Sequence, residues 1–236
     1  MHTHQSLLVI LPHPDDESFP MGGTLAKYAA NHTRVTLVCA TRGEAGIEEL
    51  APEEAGKIRE AELRCAVAEL GLDEVRFLDY RDGMLAQADP EELIRLLSDL
   101  MRELRPDSVL TFGPDGISGH PDHVTLSMRV TQAFDHAVLS KARLYYLAPS
   151  EATLQGCGVT PSQEAAGGPV ASIDITEYRL SKWRAMQSHA SQNPPYQGDP
   201  NEQIENLACH EYFTLARPSG KFADTNDLFA LLKELS

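Results

Sequence analysis

Two short stretches of this 236-residue chain carry the residue types that metal-assisted hydrolysis needs. His13-Pro14-Asp15-Asp16 follows the apolar run Leu7–Leu11, and His120-Pro121-Asp122-His123 follows the run Ser108–Phe112 after a short glycine-rich loop. Imidazole and carboxylate are the ligands of catalytic zinc sites, which use three protein ligands and leave a fourth position open. Pro14 fixes its own φ and turns the chain directly after the first run, so His13 and Asp16, three residues apart, can face one ion. His123 from the second stretch supplies the third ligand. Asp15, beside a ligand without being one, is placed to take a proton from water that zinc has made acidic. His120 is placed over a substrate to steady a developing oxyanion, and Asp122 to fix the tautomer and orientation of an imidazole. A single His-Pro-Asp is a weak signal, since histidine before proline is common at turns and Asp15-Asp16-Glu17 would serve as an acidic helix cap. Two of them, each behind a strand-like run, point to one site built from two halves. His2, His4, His32, His136 and His210 lack such support and read as surface or capping residues.

The elements that must hold these stretches follow from periodicity and punctuation. Strands are expected at Leu7–Leu11, Val35–Ala40, Val75–Leu78, from Ser108, at Arg143–Leu147 and at Cys209–Ala216. Helices are expected at Gly22–Asn31, Pro52–Leu70 with Gly71 as its stop, from Asp89-Pro90 to Leu104, at Asp122–Leu139, at Thr176–His189 capped by Thr176, and at Asn226–Leu235. Gln192-Asn193-Pro194-Pro195 breaks the fifth helix, and Ala148–Ala171, rich in Gly, Pro, Ser, Thr and Gln, reads as an irregular excursion. Strand–helix alternation predicts a single α/β domain over residues 1–236, a Rossmann-like three-layer αβα arrangement with a mainly parallel sheet. In such sheets the ligand crevice lies outside the carboxyl ends of the strands, where both histidine-bearing stretches fall.

Composition bounds the partners. A formal charge of -15 argues against nucleic acid and against an anionic membrane surface. No stretch approaches the roughly 18 apolar residues of a membrane span, and the polar Met1–Ser6 does not read as a signal peptide. Cys39, Cys65, Cys157 and Cys209 form no C-x-x-C pair, so neither a disulfide framework nor a thiolate zinc site is suggested. A cytoplasmic protein is expected.

Taken together, His13-Pro14-Asp15-Asp16-Glu17, Thr41-Arg42-Gly43-Glu44-Ala45-Gly46, Tyr80-Arg81-Asp82-Gly83-Met84 and Gly119-His120-Pro121-Asp122-His123 resemble, in order, the motifs of the LmbE-like (PIG-L) zinc-dependent N-deacetylases. Softer matches extend to Lys182, His189, Ser191-Gln192 and Glu211-Tyr212-Phe213. The resemblance implies hydrolysis of the acetamide of an N-acetylglucosamine unit joined to a polar group such as malate, inositol or another sugar. It implies Zn2+ held by His13, Asp16 and His123, Asp15 as general base and then acid, and His120 as oxyanion stabiliser. Arg59 matches a residue contacting the aglycone, Asp82 one holding sugar hydroxyls, and Glu44 is taken as a further substrate contact. A small-molecule amino-sugar substrate and a homo-oligomer, trimer or hexamer, are implied too. Ile117-Ser118 stands where the inositol-conjugate branch carries a tyrosine, a departure from that branch. Among family members a GlcNAc-malate deacetylase of bacillithiol synthesis is the leading expectation, with Arg59 as the residue that could meet a malate carboxylate. A sugar- or nucleotide-binding module without catalysis is the rival, although Gly22-Gly23 lacks the G-x-G-x-x-G spacing and a binder has no need of Asp15.

Overall fold

In a computed structural model of the chain, residues 5–148, 170–192, 198–218 and 223–230 are described. Seven strands form one sheet in the order β3-β2-β1-β4-β5-β7-β6: β1 Ser6–Leu11, β2 Arg34–Cys39, β3 Glu74–Phe77, β4 Ser108–Thr111, β5 Arg143–Leu147, β6 Val170–Asp174 and β7 His210–Arg217. The first five in that order run parallel. β7 and β6 add an antiparallel edge. β1 is buried along its whole length, as a near-continuous apolar run at the centre of a parallel sheet must be. Its side chains alternate between two cores. Leu7, Val9 and Leu11 join the one containing Leu25 and Leu63, whereas Leu8 and Ile10 join the one containing Leu97 and Leu126.

Those residues sit on the flanking helices α1 (Gly22–Ala30), α2 (Pro52–Leu70), α3 (Pro90–Leu104) and α4 (Pro121–Ala137). α2 and α3 each begin with proline where the missing N–H costs nothing, and Gly71 closes α2 in the left-handed conformation. Asp89 caps α3 by accepting from the Glu91 and Glu92 N–H groups. The chain moves outward from β1 in one direction through β2 and β3, then resumes at β4 on β1's other side. β1 and β4 are therefore neighbours at the switch point of the sheet, so the two histidine-bearing loops leave adjacent strands at their carboxyl ends.

The carboxyl-terminal part departs from expectation in several places. Thr176 is not a helix cap: Thr176–Tyr178 is a 3-10 turn, and the helix proper, α5, runs Arg179–Ser188. Asp174 fixes the turn before it, accepting from both the Thr176 N–H and its hydroxyl. β6 occupies residues assigned partly to the irregular excursion, whose remainder, 149–169, lies outside the described residues. A short polar helix, α6 (Pro200–Asn206), follows an Asp199 cap. Residues 226–230 form turns rather than the start of a terminal helix, with Leu228 and Phe229 buried in the core. The rest of that expected helix, residues 231–235, and most of the Gln192–Pro195 break lie outside the described residues.

One buried ion pair ties this part to the sheet's active end. Glu211 on β7 accepts from the Gly23 and Thr24 N–H groups at the start of α1, at 3.1 and 2.7 Å, and from Lys182 Nζ of α5 at 2.6 Å. The carboxylate satisfies the orphan donors of α1 and its partial positive charge together. Lys182→Met, which leaves Glu211 buried without its cation, is expected to lower the unfolding free energy by roughly 3–5 kcal/mol. Urea denaturation of the parent and variant checks this, and a change below about 1 kcal/mol would make the pair dispensable.

Candidate metal centre and active site

His13 sits two residues past β1, in a loop braced from β2: the Thr41 hydroxyl donates to the Pro12 carbonyl at 2.9 Å. Its ring lies between two groups of partners. Nε2 lies 3.0 Å from Asp82 Oδ1 and 3.3 Å from Asp122 Oδ2, so that nitrogen carries hydrogen toward carboxylate. Nδ1 lies 3.2 Å from His123 Nε2 and 3.5 Å from Asp16 Oδ2. On the other ring, His123 Nδ1 donates to the Gly116 carbonyl at 3.2 Å, and its Nε2 lies 3.5 Å from Asp16 Oδ1. Phe112 stacks on His123 at 4.3 Å, fixing the ring plane. Both imidazoles thus have their outer nitrogens engaged and turn Nδ1 of His13 and Nε2 of His123 toward Asp16, the tautomer control that metal-binding histidines require.

Asp16 faces the two rings with different oxygens, Oδ2 toward His13 Nδ1 and Oδ1 toward His123 Nε2, at 3.5 Å each, and the two ring nitrogens lie 3.2 Å apart. Zinc–ligand bonds of about 2.0–2.1 Å place tetrahedral ligands about 3.3–3.4 Å apart. Among the described residues the triplets whose ligand atoms converge are His13 with His120 and His123, and His13 with Asp82 and Asp122; Asp16 borders both, its Oδ2 accepting from the His13 N–H at 2.9 Å. Each has prior engagements. His120 Nδ1 accepts from the Asp122 N–H as the cap of α4, and Asp122 accepts from the Gly83 and Leu85 N–H groups at 2.7 and 3.1 Å.

The electrostatics follow from this crowding. Burial disfavours a charged His13, yet bonds to Asp122, Asp16 and Asp82 outweigh it and push its pKa up to about 11. Burial holds His123 below the ordinary histidine value. For Asp82, burial is outweighed by His13, and the pKa falls to about 2. Asp15 moves the other way: burial and the charge of Asp16 push it up to about 7 against the pull of Arg59 and His189. A quarter of the Asp15 side chain remains accessible. A carboxyl of that kind, beside a candidate metal position, has the affinity and the access of a proton-transfer group.

The remaining expected substrate contacts are placed differently. Arg59, on α2, is 4% exposed and points beneath the loops rather than outward. It donates to the Gly43 carbonyl, the Pro14 carbonyl and Asp15 Oδ2, at 2.9, 2.5 and 3.0 Å. The glycines of the 41–46 motif follow from this, because a Cβ at Gly43 or Gly46 would meet the guanidinium. Asp82 accepts from the Ala45 N–H besides facing His13. Glu44 Oε1 accepts from the Asp82 N–H, while its Oε2 is buried without a partner. His120 is exposed, at the mouth. Two further residues belong to the site. Glu17 and His189 are wholly buried against each other, Nε2 to Oε1 at 2.7 Å. Glu17 was visible as the end of the first motif and His189 as one of the softer downstream matches, but their pairing across 172 residues was not.

Known proteins resemble this chain in fold and sequence. A family described as PIG-L, GlcNAc-PI de-N-acetylase, matches residues 8–134. The chain is 33% identical to the probable N-acetyl-alpha-D-glucosaminyl L-malate deacetylase 2 of Bacillus anthracis, over 81% of this chain and 83% of that protein. It is 32% identical to the 1D-myo-inositol 2-acetamido-2-deoxy-alpha-D-glucopyranoside deacetylase of Salinispora arenicola (strain CNS-205), over 95% of this chain and 90% of that one. Among solved structures, N,N'-diacetylchitobiose deacetylase from Pyrococcus horikoshii superposes with a TM-score of 0.67 at 25% identity, covering 90% of this chain and 84% of its own.

With its pKa pushed up to about 11, His13 keeps a second proton near neutral pH in the metal-free protein. Zinc binding is therefore expected to release about one proton or more. Calorimetric titration in buffers of different ionisation enthalpy measures the number. Heats that do not depend on the buffer would remove His13 from the set of groups zinc displaces.

Proposed function

The chain belongs to the PIG-L (LmbE-like) family of deacetylases, and from that premise we propose that it hydrolyses the acetamide of an N-acetylglucosaminyl conjugate with the help of zinc. The observation that carries this reading is the approach of the His13 and His123 ring nitrogens to 3.2 Å, with an Asp16 oxygen 3.5 Å from each, beside a reachable Asp15. His13, Asp16 and His123 would hold the ion. Bound there, it supplies a water of lowered pKa and polarises a carbonyl oxygen.

The chain's own residues divide the remaining work. Asp15 takes a proton from the attacking water and returns it to the departing amine as the C–N bond breaks, releasing acetate and the free amino sugar. Arg59 lowers the cost of charge on Asp15 and holds its carboxylate in place. His120 accepts the Asp122 N–H at Nδ1, which leaves its hydrogen on Nε2 as a donor for the carbonyl oxygen as negative charge develops. Asp82 and Asp122 keep the His13 ring turned.

For the aglycone we favour malate, on the relative named for it and on Ile117-Ser118. Arg59, the residue expected to meet its carboxylate, is committed elsewhere. A better candidate lies next to Glu44, in a cavity of about 500 Å³ where carboxylates also face the cations: Arg42 is paired with Glu60 and Asp79, and Lys57 with Glu53, which leaves Arg81. Among the described residues the Arg81 guanidinium has no carboxylate partner, and it is exposed. A cytoplasmic location and an oligomeric assembly belong to the same proposal.

Asp15→Asn is expected to retain stoichiometric zinc while kcat/KM falls by about a hundredfold or more. Metal analysis and amine release, measured on one preparation, check both. Near-parental activity would remove Asp15 as the base. Arg81→Ala is expected to raise KM about tenfold for GlcNAc-malate and to leave GlcNAc-inositol and N,N'-diacetylchitobiose unchanged. Equal effects on all three would detach Arg81 from the aglycone.

A further inference from the structure

Asp15 has φ of 102°, a conformation that a non-glycine residue adopts at a cost of about 1–3 kcal/mol. Something must hold it there. Its N–H donates to Glu17 Oε2 at 3.0 Å, and its carbonyl accepts from the Ser18 and Phe19 N–H groups. Glu17 is itself fixed. Its Oε1 accepts from the Ser18 hydroxyl and faces His189 Nε2 at 2.7 Å, with no exposed surface on either residue. His189 ends α5, beyond the segment that matches the family, and its position is set from α2. The Ser191 N–H and hydroxyl both donate to Glu62, at 2.7 and 2.6 Å, and the Gln192 N–H donates back to the His189 carbonyl.

We infer that the buried Glu17–His189 pair is a positioning device for Asp15: it holds the backbone of that residue in its left-handed turn, and so aims its carboxylate at the reacting centre. Without the Glu17 acceptor, Asp15 relaxes toward ordinary φ and its carboxylate swings off Arg59. The pair touches neither substrate nor the candidate ligand atoms. It acts through Asp15, and the inference rests on the reading of Asp15 as the base.

That dependence makes a double-mutant cycle the test. Glu17→Gln and His189→Gln are each expected to lower kcat ~10- to 100-fold with KM within ~threefold and zinc content unchanged. In the Asp15→Asn background the same substitutions should change the residual rate by less than ~twofold. The Asp15 amide proton, held downfield by the Glu17 carboxylate, should shift upfield in either variant. Ser18→Ala removes a donor to the same carboxylate at little structural cost, and serves as the third arm if a Gln variant melts below the assay temperature. It should give the same pattern, weaker. Folded, zinc-loaded variants with kcat within ~twofold of the parent, or losses that multiply with Asp15→Asn, would overturn the inference. Full activity in Asp15→Asn alone would instead remove the base reading and leave this question of backbone geometry to the amide resonance.

Discussion

The constraint on which the rest of the structure depends is an excess of carboxylate around one imidazole. Asp16, Asp82 and Asp122 each place an oxygen 3.0–3.5 Å from the His13 ring, and Asp15 and Glu17 lie within two to four residues of it. Like charges at such separations, shielded from water, raise one another's energy by several kcal/mol unless cations lie among them. The chain brings those cations from far away in sequence. Arg59 comes from α2, and His189, whose pKa is raised against burial by the charge of Glu17, from the end of α5, while His13 has its own pKa pushed up to about 11. A divalent ion at the Asp16 side would relieve the same excess more completely. On the proposed reading, catalytic and structural demands coincide: the crowding of carboxylates that calls for a cation lies where one would lower the pKa of a water.

Four loops meet at this point, and they are bonded to one another more than to solvent. Glu44 accepts from the Asp82 N–H, Asp82 from Ala45, Asp122 from Gly83 and Leu85, and Arg59 clamps the carbonyls of Pro14 and Gly43. Left-handed residues collect here, at Asp15, Gly43, Asp79, Gly83, Gly116, Ile117 and Gly119. A β-branched residue at φ of 65°, as Ile117 has, is a costly choice. The turn it makes sits beside Gly116, whose carbonyl receives the Nδ1 hydrogen of His123. Arg105 and Val138, also left-handed, lie at the opposite end of the sheet and merely terminate α3 and α4. The strain is thus spent on both sides of the sheet for different reasons, and only at the carboxyl ends does it aim polar groups inward.

Much of this was legible in the sequence, for definable reasons. The strands β1, β2, β4 and β5 announce themselves as largely apolar runs because the interior of a parallel sheet is buried on both faces, whereas β3, at the edge, is half-exposed. The two His-Pro-Asp stretches name the candidate ligands because each is local. What escaped was whatever depends on distant partners. The Arg59 motif match says nothing of direction, and a helix arginine reads as exposed until Gly43 and Gly46 are seen to leave room for it. His189 stands 172 residues from Glu17. β6 is a short edge strand whose pairing with β7 is supplied by that neighbour, and α6 carried the same Asp-Pro start as α3 but too few apolar positions to show a period.

The rigidity of the inner ring of loops also locates where relatives can differ. Asp15 is held by Arg59 from α2 and His13 by Asp82 and Asp122 from two other loops, whereas His120 is held within its own loop by the Asp122 N–H. Preorganisation of that kind lets polar groups meet developing charge without reorienting, and it ties the site to one chemistry. The surface formed by Arg42, Lys57, Tyr80 and Arg81 lies outside the ring, yet reaches it through Glu44, whose Oε2 still lacks a partner. Its charges can change without loosening His13 or Asp15. A family that keeps deacetylation constant while exchanging malate, inositol or a second sugar needs this division, with fixed chemistry inside the loops and adjustable recognition on the helix and turn beside them.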